Sequence, residues 1–111
     1  MIATDRSTLV DGRLVFTHWP DGADWYTGLM TAHEDGRGGL VLEHVVVLQR
    51  GAILPLLRAG IAAVKEAGYR GVTFAIPDTY PVAKGLRAAA RRVHADQYAH
   101  ERGWTYWSLA L

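Results

Sequence analysis

Two neighbouring stretches of the 111-residue chain hold the residues best suited to chemistry. The first is Glu43-His44, set inside the almost wholly apolar run 40–48. A carboxylate or an imidazole can accept a proton from an ammonium group, directly or through water, so either residue is a candidate general base. Period-two alternation along a strand sends the two side chains to opposite faces, which makes Glu43 the nominated base and leaves His44 on the other side. The competing structural reading of Glu43 is a strand-edge carboxylate paired with an arginine. The second stretch is Gln49-Arg50-Gly51-Ala52-Ile53-Leu54-Pro55, where a buried strand passes into a helix. Helix starts of this kind bind anions, because unpaired N–H groups and the helix dipole point at the ligand. Here Gly51 is the lone glycine, and Pro55 has no N–H to offer.

The elements that must position these residues follow from pattern. Residues 7–10 and 13–19 are strand-like runs separated by Asp11-Gly12, a pair favoured in tight hairpins. Pro20-Asp21-Gly22 marks a turn, residues 24–33 a third strand, and Gly36-Arg37-Gly38-Gly39 the turn into the run 40–48. That run is apolar on both faces, as a central covered strand is. Ile53, Leu57, Ile61 and Val64 recur at helical spacing within 52–67, with Pro55 in the first turn and Gly68 as the stop. Residues 71–76 form a short strand ending at Pro77-Asp78, 81–93 a second helix, and 104–111 a closing strand.

Composition narrows the function. The chain contains no cysteine, which removes disulfides, thiolate nucleophiles and zinc-cysteine sites and points to a reducing, cytoplasmic setting. No apolar run reaches the roughly 18 residues of a membrane helix, and Asp5 and Arg6 interrupt any leader-like start. Residues 1–50 hold seven acidic and four basic side chains, whereas residues 51–111 hold four acidic and eight basic, leaving a net charge of +1. So small a net charge argues against a dedicated nucleic-acid binder. One domain spanning residues 1–111, without repeats or linkers, is expected.

The order of elements, an antiparallel meander followed by strand-helix-strand-helix-strand, resembles the GNAT N-acetyltransferase superfamily from about Leu14 to Leu111. The run from Leu40 through Gly68 into Gly71-Val72-Thr73-Phe74-Ala75 carries the likeness most directly. The resemblance implies an α/β fold with a central mixed sheet of six or seven strands and two principal helices. It also implies that strands 40–48 and 71–76 are parallel neighbours, joined by a right-handed helical crossover. In that family the loop after the fourth strand follows Gln/Arg-x-x-Gly-x-Gly/Ala and holds the coenzyme A pyrophosphate, which assigns Gln49, Arg50, Gly51 and Ala52 to the cofactor. Neither register of the pattern supplies both small residues: one places Ile53 and Pro55 there, the other Ala52 and Leu54. Many members also carry a tyrosine on the last helix, within Tyr-x-x-x-Gly-Phe, that protonates the departing thiolate. The matching stretch is Ala90-Arg91-Arg92-Val93-His94-Ala95, with alanine in place of tyrosine and His94 in place of glycine. The N-terminal helices that shape the acceptor pocket are absent or reduced. The short chain is similar to small GNAT-like proteins encoded by tailed bacteriophages, some of them associated with virions.

Other clusters carry less. His94, Asp96 and His100 lack the spacing of a metal site, and no metal is expected. Lys84, Arg87 and Arg91 share one helical face, either as solvated stems or as a contact for phosphate or an acidic surface. The aromatic residues point to partners. Trp104 and Tyr106 face one side of the closing strand and Trp107 the other, while Trp19 and Trp25 flank the Pro20-Asp21-Gly22 turn. These five are the expected contacts with a protein partner or a second copy of the chain. With both family motifs altered, the expected function is a catalytically degenerate GNAT-fold protein used for binding or assembly, including in a phage virion, with no cofactor. The alternative is a small N-acetyltransferase that uses acetyl-CoA, with Glu43 as base.

Overall fold

The protein was analysed as a computed structural model that describes residues 4–10 as backbone and residues 13–49 and 51–111 in full. The Asp11-Gly12 turn and Arg50 lie outside the described residues. Seven strands and two helices follow one another as β1 (Thr4–Val10), β2 (Arg13–Trp19), β3 (Gly28–Glu34), β4 (Leu40–Val47), α1 (Ile53–Glu66), β5 (Gly71–Pro77), α2 (Ala83–Arg92), β6 (Asp96–Glu101) and β7 (Trp104–Ala110). The strands form one mixed sheet in the order β1-β2-β3-β4-β5-β7-β6. As the element order implies, β4 and β5 are parallel neighbours, and every other pair is antiparallel.

Both helices cover the same face of the sheet. Phe16 and Met30 meet Leu56 and Leu57 of α1, while Ile76 and Trp107 meet Leu86 and Ala90 of α2. Packing Leu56 at 0% and Ala90 at 0% exposure removes a continuous apolar stripe from water, and burial of this kind is the main favourable term of folding. Trp107, 1% exposed, stacks on Phe74 with ring centroids 6.2 Å apart. Its indole N–H donates to Thr105 Oγ1 at 2.9 Å, so even the buried polar edge is satisfied. Trp107 is therefore a core residue, and its expected role at an interface is corrected: the helix layer already covers that face of β7.

Both helices end in the same hydrogen-bonded turn. In α1, Tyr69 N–H reaches Val64 O and Gly68 N–H reaches Lys65 O, with Gly68 at φ +94°. In α2, Ala95 N–H reaches Ala90 O and His94 N–H reaches Arg91 O, with His94 at φ 66°. These pairs of bonds satisfy the last helical carbonyls, and glycine is the residue that suits the left-handed position. His94 holds it instead, against the steric preference of an L-residue.

The sequence misses one strand and shifts another. β6 has no β-branched residue and reads as polar loop, yet it pairs along β7 through a two-residue turn, Arg102-Gly103, with φ 53° and φ 80°. That turn matches the twist of a hairpin, so the pairing of β7 imposes the strand. β3 starts at Gly28, not at residue 24, because Ala23 N–H closes a turn on Pro20 O and the chain rejoins β2 only at Thr27 N–H···O His18.

Replacing His94 by glycine relieves the left-handed conformation without removing a packed side chain, since His94 is exposed. His94→Gly should raise unfolding stability by about 1 kcal/mol, measured as a higher urea midpoint at unchanged slope.

Candidate functional site

β4 and β5 pair only at Leu40↔Val72 and Val41↔Thr73. Beyond that point they part, and the gap is a cleft of about 270 Å³ whose walls include Leu42, Val45, Phe74, Ile76 and Leu86. Glu43, Tyr80 and Trp104 also stand on its wall. The parting begins where β4 carries a bulge. Ala32 pairs with Leu42 and Thr31 with His44, which leaves Glu43 as an extra residue opposite β3. A bulge bends its strand, raises the local twist and re-aims the side chains on either side of it.

The bulge overturns the expected alternation. Glu43 Oε1 lies 3.3 Å from Arg13 Nε and 3.3 Å from His33 Nδ1, on neighbouring positions of β2 and β3. His44 Nδ1 meets Thr31 Oγ1 at 3.1 Å, two residues along β3 from His33 and so on the same face. Glu43 and His44 therefore share the sheet face opposite the helices, and the placing of His44 on the far side is corrected. Oε1 of Glu43 is shielded from solvent yet aligned with neither neighbour for a hydrogen bond. A carboxylate beside a guanidinium and an imidazole, with an open hydrogen-bonding position, is able to accept a proton from a ligand. The arginine pairing and the general-base reading thus describe the same side chain. His33 is the member of the cluster not nominated from the sequence. Its signal was its position two residues beyond Thr31 in period-two alternation.

The loop after β4 is open but altered. Gly51 has φ +81°, and a Cβ there would meet nothing within 4 Å. Ala52 caps α1 without any side-chain hydrogen bond, and the first turn contains no acidic residue. Nothing in that turn thus opposes an anion through like charge. Pro55 is exposed in the first turn, as required by its missing N–H. Ile53, the bulky residue in place of a small one, packs into the core and would lie 2.9 Å from a Cβ added at Gly85 of α2. Its side chain faces inward, away from any ligand over the loop. Gln49 is exposed, and its carbonyl receives Ala52 N–H at 3.2 Å.

Tyr80 laces the cleft. Its hydroxyl donates to the backbone carbonyl of Val45 on the far strand, joining the segment after β5 to the free edge of β4. Tyr80 is a second residue not nominated from the sequence: it precedes α2 and does not lie within the helix. Trp104, 41% exposed and opposite Pro77, stands at the cleft wall. Tyr106 is half-buried beside Tyr98 at 6.1 Å, on the uncovered face. Trp19, Trp25 and Tyr26 form a separate aromatic group, with Trp25 stacked on Tyr26 at 5.0 Å and 62% exposed. Among the described residues no group of three or more His, Cys, Asp or Glu is arranged to hold a metal, and no helix is long and apolar enough to cross a membrane.

Solved structures share this fold. A Campylobacter jejuni N-acetyltransferase, PseH, determined in complex with acetyl coenzyme A, matches with a TM-score of 0.73 at 10% identity, over 91% of this chain and 70% of that one. The fold is that of the GNAT N-acetyltransferases. A candidate acyl-CoA N-acyltransferase from Klebsiella pneumoniae matches with a TM-score of 0.75 at 11% identity, over 99% of this chain and 98% of that one. The ribosomal-protein-S18-alanine N-acetyltransferase of Escherichia coli matches with a TM-score of 0.66 at 13% identity, over 91% and 70% of the two chains. No protein-family model matches the sequence, and no curated protein matches it. The GNAT fold is thus present at identities where only the backbone path is comparable.

The bond from Tyr80 to Val45 ties the segment after β5 to β4, where β4 has no ladder with β5. Tyr80→Phe should lower stability by about 1 kcal/mol, read from urea denaturation, with the near-ultraviolet signal of Trp107 and Phe74 preserved.

Proposed function

We propose that the chain is an acyl-CoA-dependent N-acyltransferase, with the thioester held in the β4–β5 cleft and Glu43 as general base. The observation that carries this reading is the cleft itself, with a shielded carboxylate on its wall. Where two parallel strands part, their facing edges keep backbone donors and acceptors free. An extended chain bearing amides, such as the pantetheine arm of coenzyme A, can pair with such an edge as an added strand. The residues fit the ligand: the cleft is lined mainly by apolar side chains, and the start of α1 has no acidic residue in its first turn. Gln49, Gly51 and Ala52, with Arg50, form the loop that a pyrophosphate would meet. In the transfer, the amine nitrogen attacks the thioester carbon, the C–S bond breaks, and the ammonium proton passes to Glu43. The thiolate takes its proton from water or from Tyr80, the phenol on the cleft wall. The acyl donor must displace the Tyr80 hydroxyl wherever it requires the Val45 carbonyl.

The altered loop and the missing helix tyrosine are the sole support for a degenerate virion component, and that reading is not adopted. A role in protein contact has separate support. Both helices lie on one face, while Tyr98 at 62%, Trp104 at 41% and Val46 at 42% exposure project from the rest of the sheet. Large exposed rings of this kind mark contact sites. A second copy of the chain is the occupant to test first. Sedimentation equilibrium should show concentration-dependent dimers that Tyr98→Ser weakens, and a monomer at every concentration would end the proposal.

Acetyl-CoA at about a hundredfold excess over its Kd should stabilise the fold by about 2.7 kcal/mol, seen as a thermal shift. Glu43→Gln should retain that shift and lose acetyl transfer to an amine by about a hundredfold or more. Absence of any shift in the wild-type protein would remove the acyltransferase reading.

A further inference from the structure

A second concavity, of about 350 Å³, shares no wall residue with the β4–β5 cleft. Its six wall residues, Asp78, Arg87, Arg91, Gln97, His100 and Thr105, are all polar. They come from four places in the chain: the residue after β5, one side of α2, β6 and β7. Arg87 and Arg91 lie one helical turn apart and so stand one above the other. The left-handed turn at His94 sends the chain directly from α2 into β6. Within β6 the register shifts between Gln97 and Ala99, so that Gln97 opposes Trp107 and His100 opposes Thr105. Trp107 and Thr105 share a face, hence Gln97 and His100 do too. Three residues apart on a regular strand, they would point to opposite sides. A bulge at Tyr98 thus brings an amide and an imidazole to face two guanidinium groups.

The charges are arranged for an anion. Asp78 pairs with His100 Nε2 at 2.9 Å and with Arg87 Nη1 at 3.5 Å, which holds both groups in place. Arg91 has no carboxylate partner among the described residues. Its guanidinium lies over the Trp107 ring, 5.6 Å from the centroid, a contact that orders the side chain and leaves its N–H fork open. The four ionisable groups sum to +1 with His100 neutral. A ligand carrying one carboxylate would only duplicate Asp78. A phosphate brings two charges and three oxygens, enough to engage Arg91, Arg87 and the Gln97 amide together against the resident Asp78. The volume leaves room for the body of a small molecule beyond the phosphate.

We infer that this pocket binds the phosphate group of a small phosphate monoester, at a site separate from the acyl-donor cleft. The indole N–H of Trp107 reports on it, since Trp107 donates to the wall residue Thr105 and lies beneath Arg91. We would titrate ¹⁵N-labelled protein with ribose 5-phosphate, inorganic phosphate and succinate, following the four indole N–H resonances. Ribose 5-phosphate should move the Trp107 signal saturably and leave that of Trp25 in place. Arg91→Gln should weaken binding about tenfold, with Arg92→Gln, outside the pocket, unchanged. The Trp107 resonance in each variant shows that the fold is kept. A linear, non-saturating shift, a response that survives Arg87→Gln combined with Arg91→Gln, or equal binding of succinate would overturn the inference. So would saturation by inorganic phosphate without any by ribose 5-phosphate, which would mark an adventitious ion only.

Discussion

The parting of β4 from β5 is the constraint on which the rest of the molecule depends. A parallel pair in mid-sheet would ordinarily zip along its length, because each buried backbone group left unpaired costs about as much as a lost hydrogen bond. Here the ladder stops after two residue pairs. Glu43 is the extra residue of the bulge that follows, and it bends β4 away. The open edges are tolerable because a polar group crosses the gap: the Tyr80 hydroxyl satisfies Val45 O. The core beneath then holds the strands in their parted positions. Ile53 reaches Gly85 across the helix pair, and Trp107 stacks on Phe74 in the strand beside the gap.

The same bulge links architecture to chemistry. Without it, Glu43 and His44 would alternate, and only one of them would stand on the face that carries Arg13 and His33. With it, the carboxylate sits between two basic side chains at the edge of an apolar cleft. A second bulge, at Tyr98 in β6, does the equivalent work on the other side of α2, aligning Gln97 and His100 with Arg87 and Arg91. Each concavity is lined by residues that a regular strand would have separated. The two differ in kind: one is an apolar cleft with a single carboxylate, the other a wholly polar cup with excess positive charge.

The altered family motifs acquire physical meaning from the packing. His94 replaces the glycine of the helix-end pattern, yet it takes the left-handed conformation a glycine would take and completes the same pair of hydrogen bonds. Ile53 replaces a small residue of the phosphate loop, yet its side chain turns into the core. Both substitutions change the letters of the motif while preserving the backbone path. This is how a GNAT fold persists where no family model matches.

The sequence by itself determined which segments are helices, where α1 starts and stops, and that the strands before and after it lie parallel. Those features rest on local rules: Pro55 is confined to a first turn, Gly68 to a helix end, and a helical crossover to one hand. It also marked Glu43 as the carboxylate to watch. Tertiary structure alone decided which way Glu43 and His44 point, that His33 joins them, that residues 96–101 form a strand, and that Trp107 is core and not interface. Pairing with β7 imposes the strand at 96–101, and the helix layer buries Trp107, while the bulge in β4 decides the placing of Glu43, His44 and His33. A bulge or a register shift is set by the partner strand, and one extra residue in one strand inverts every facing relation beyond it. No local pattern of polar and apolar residues contains that information, because it belongs to the pair and not to either strand.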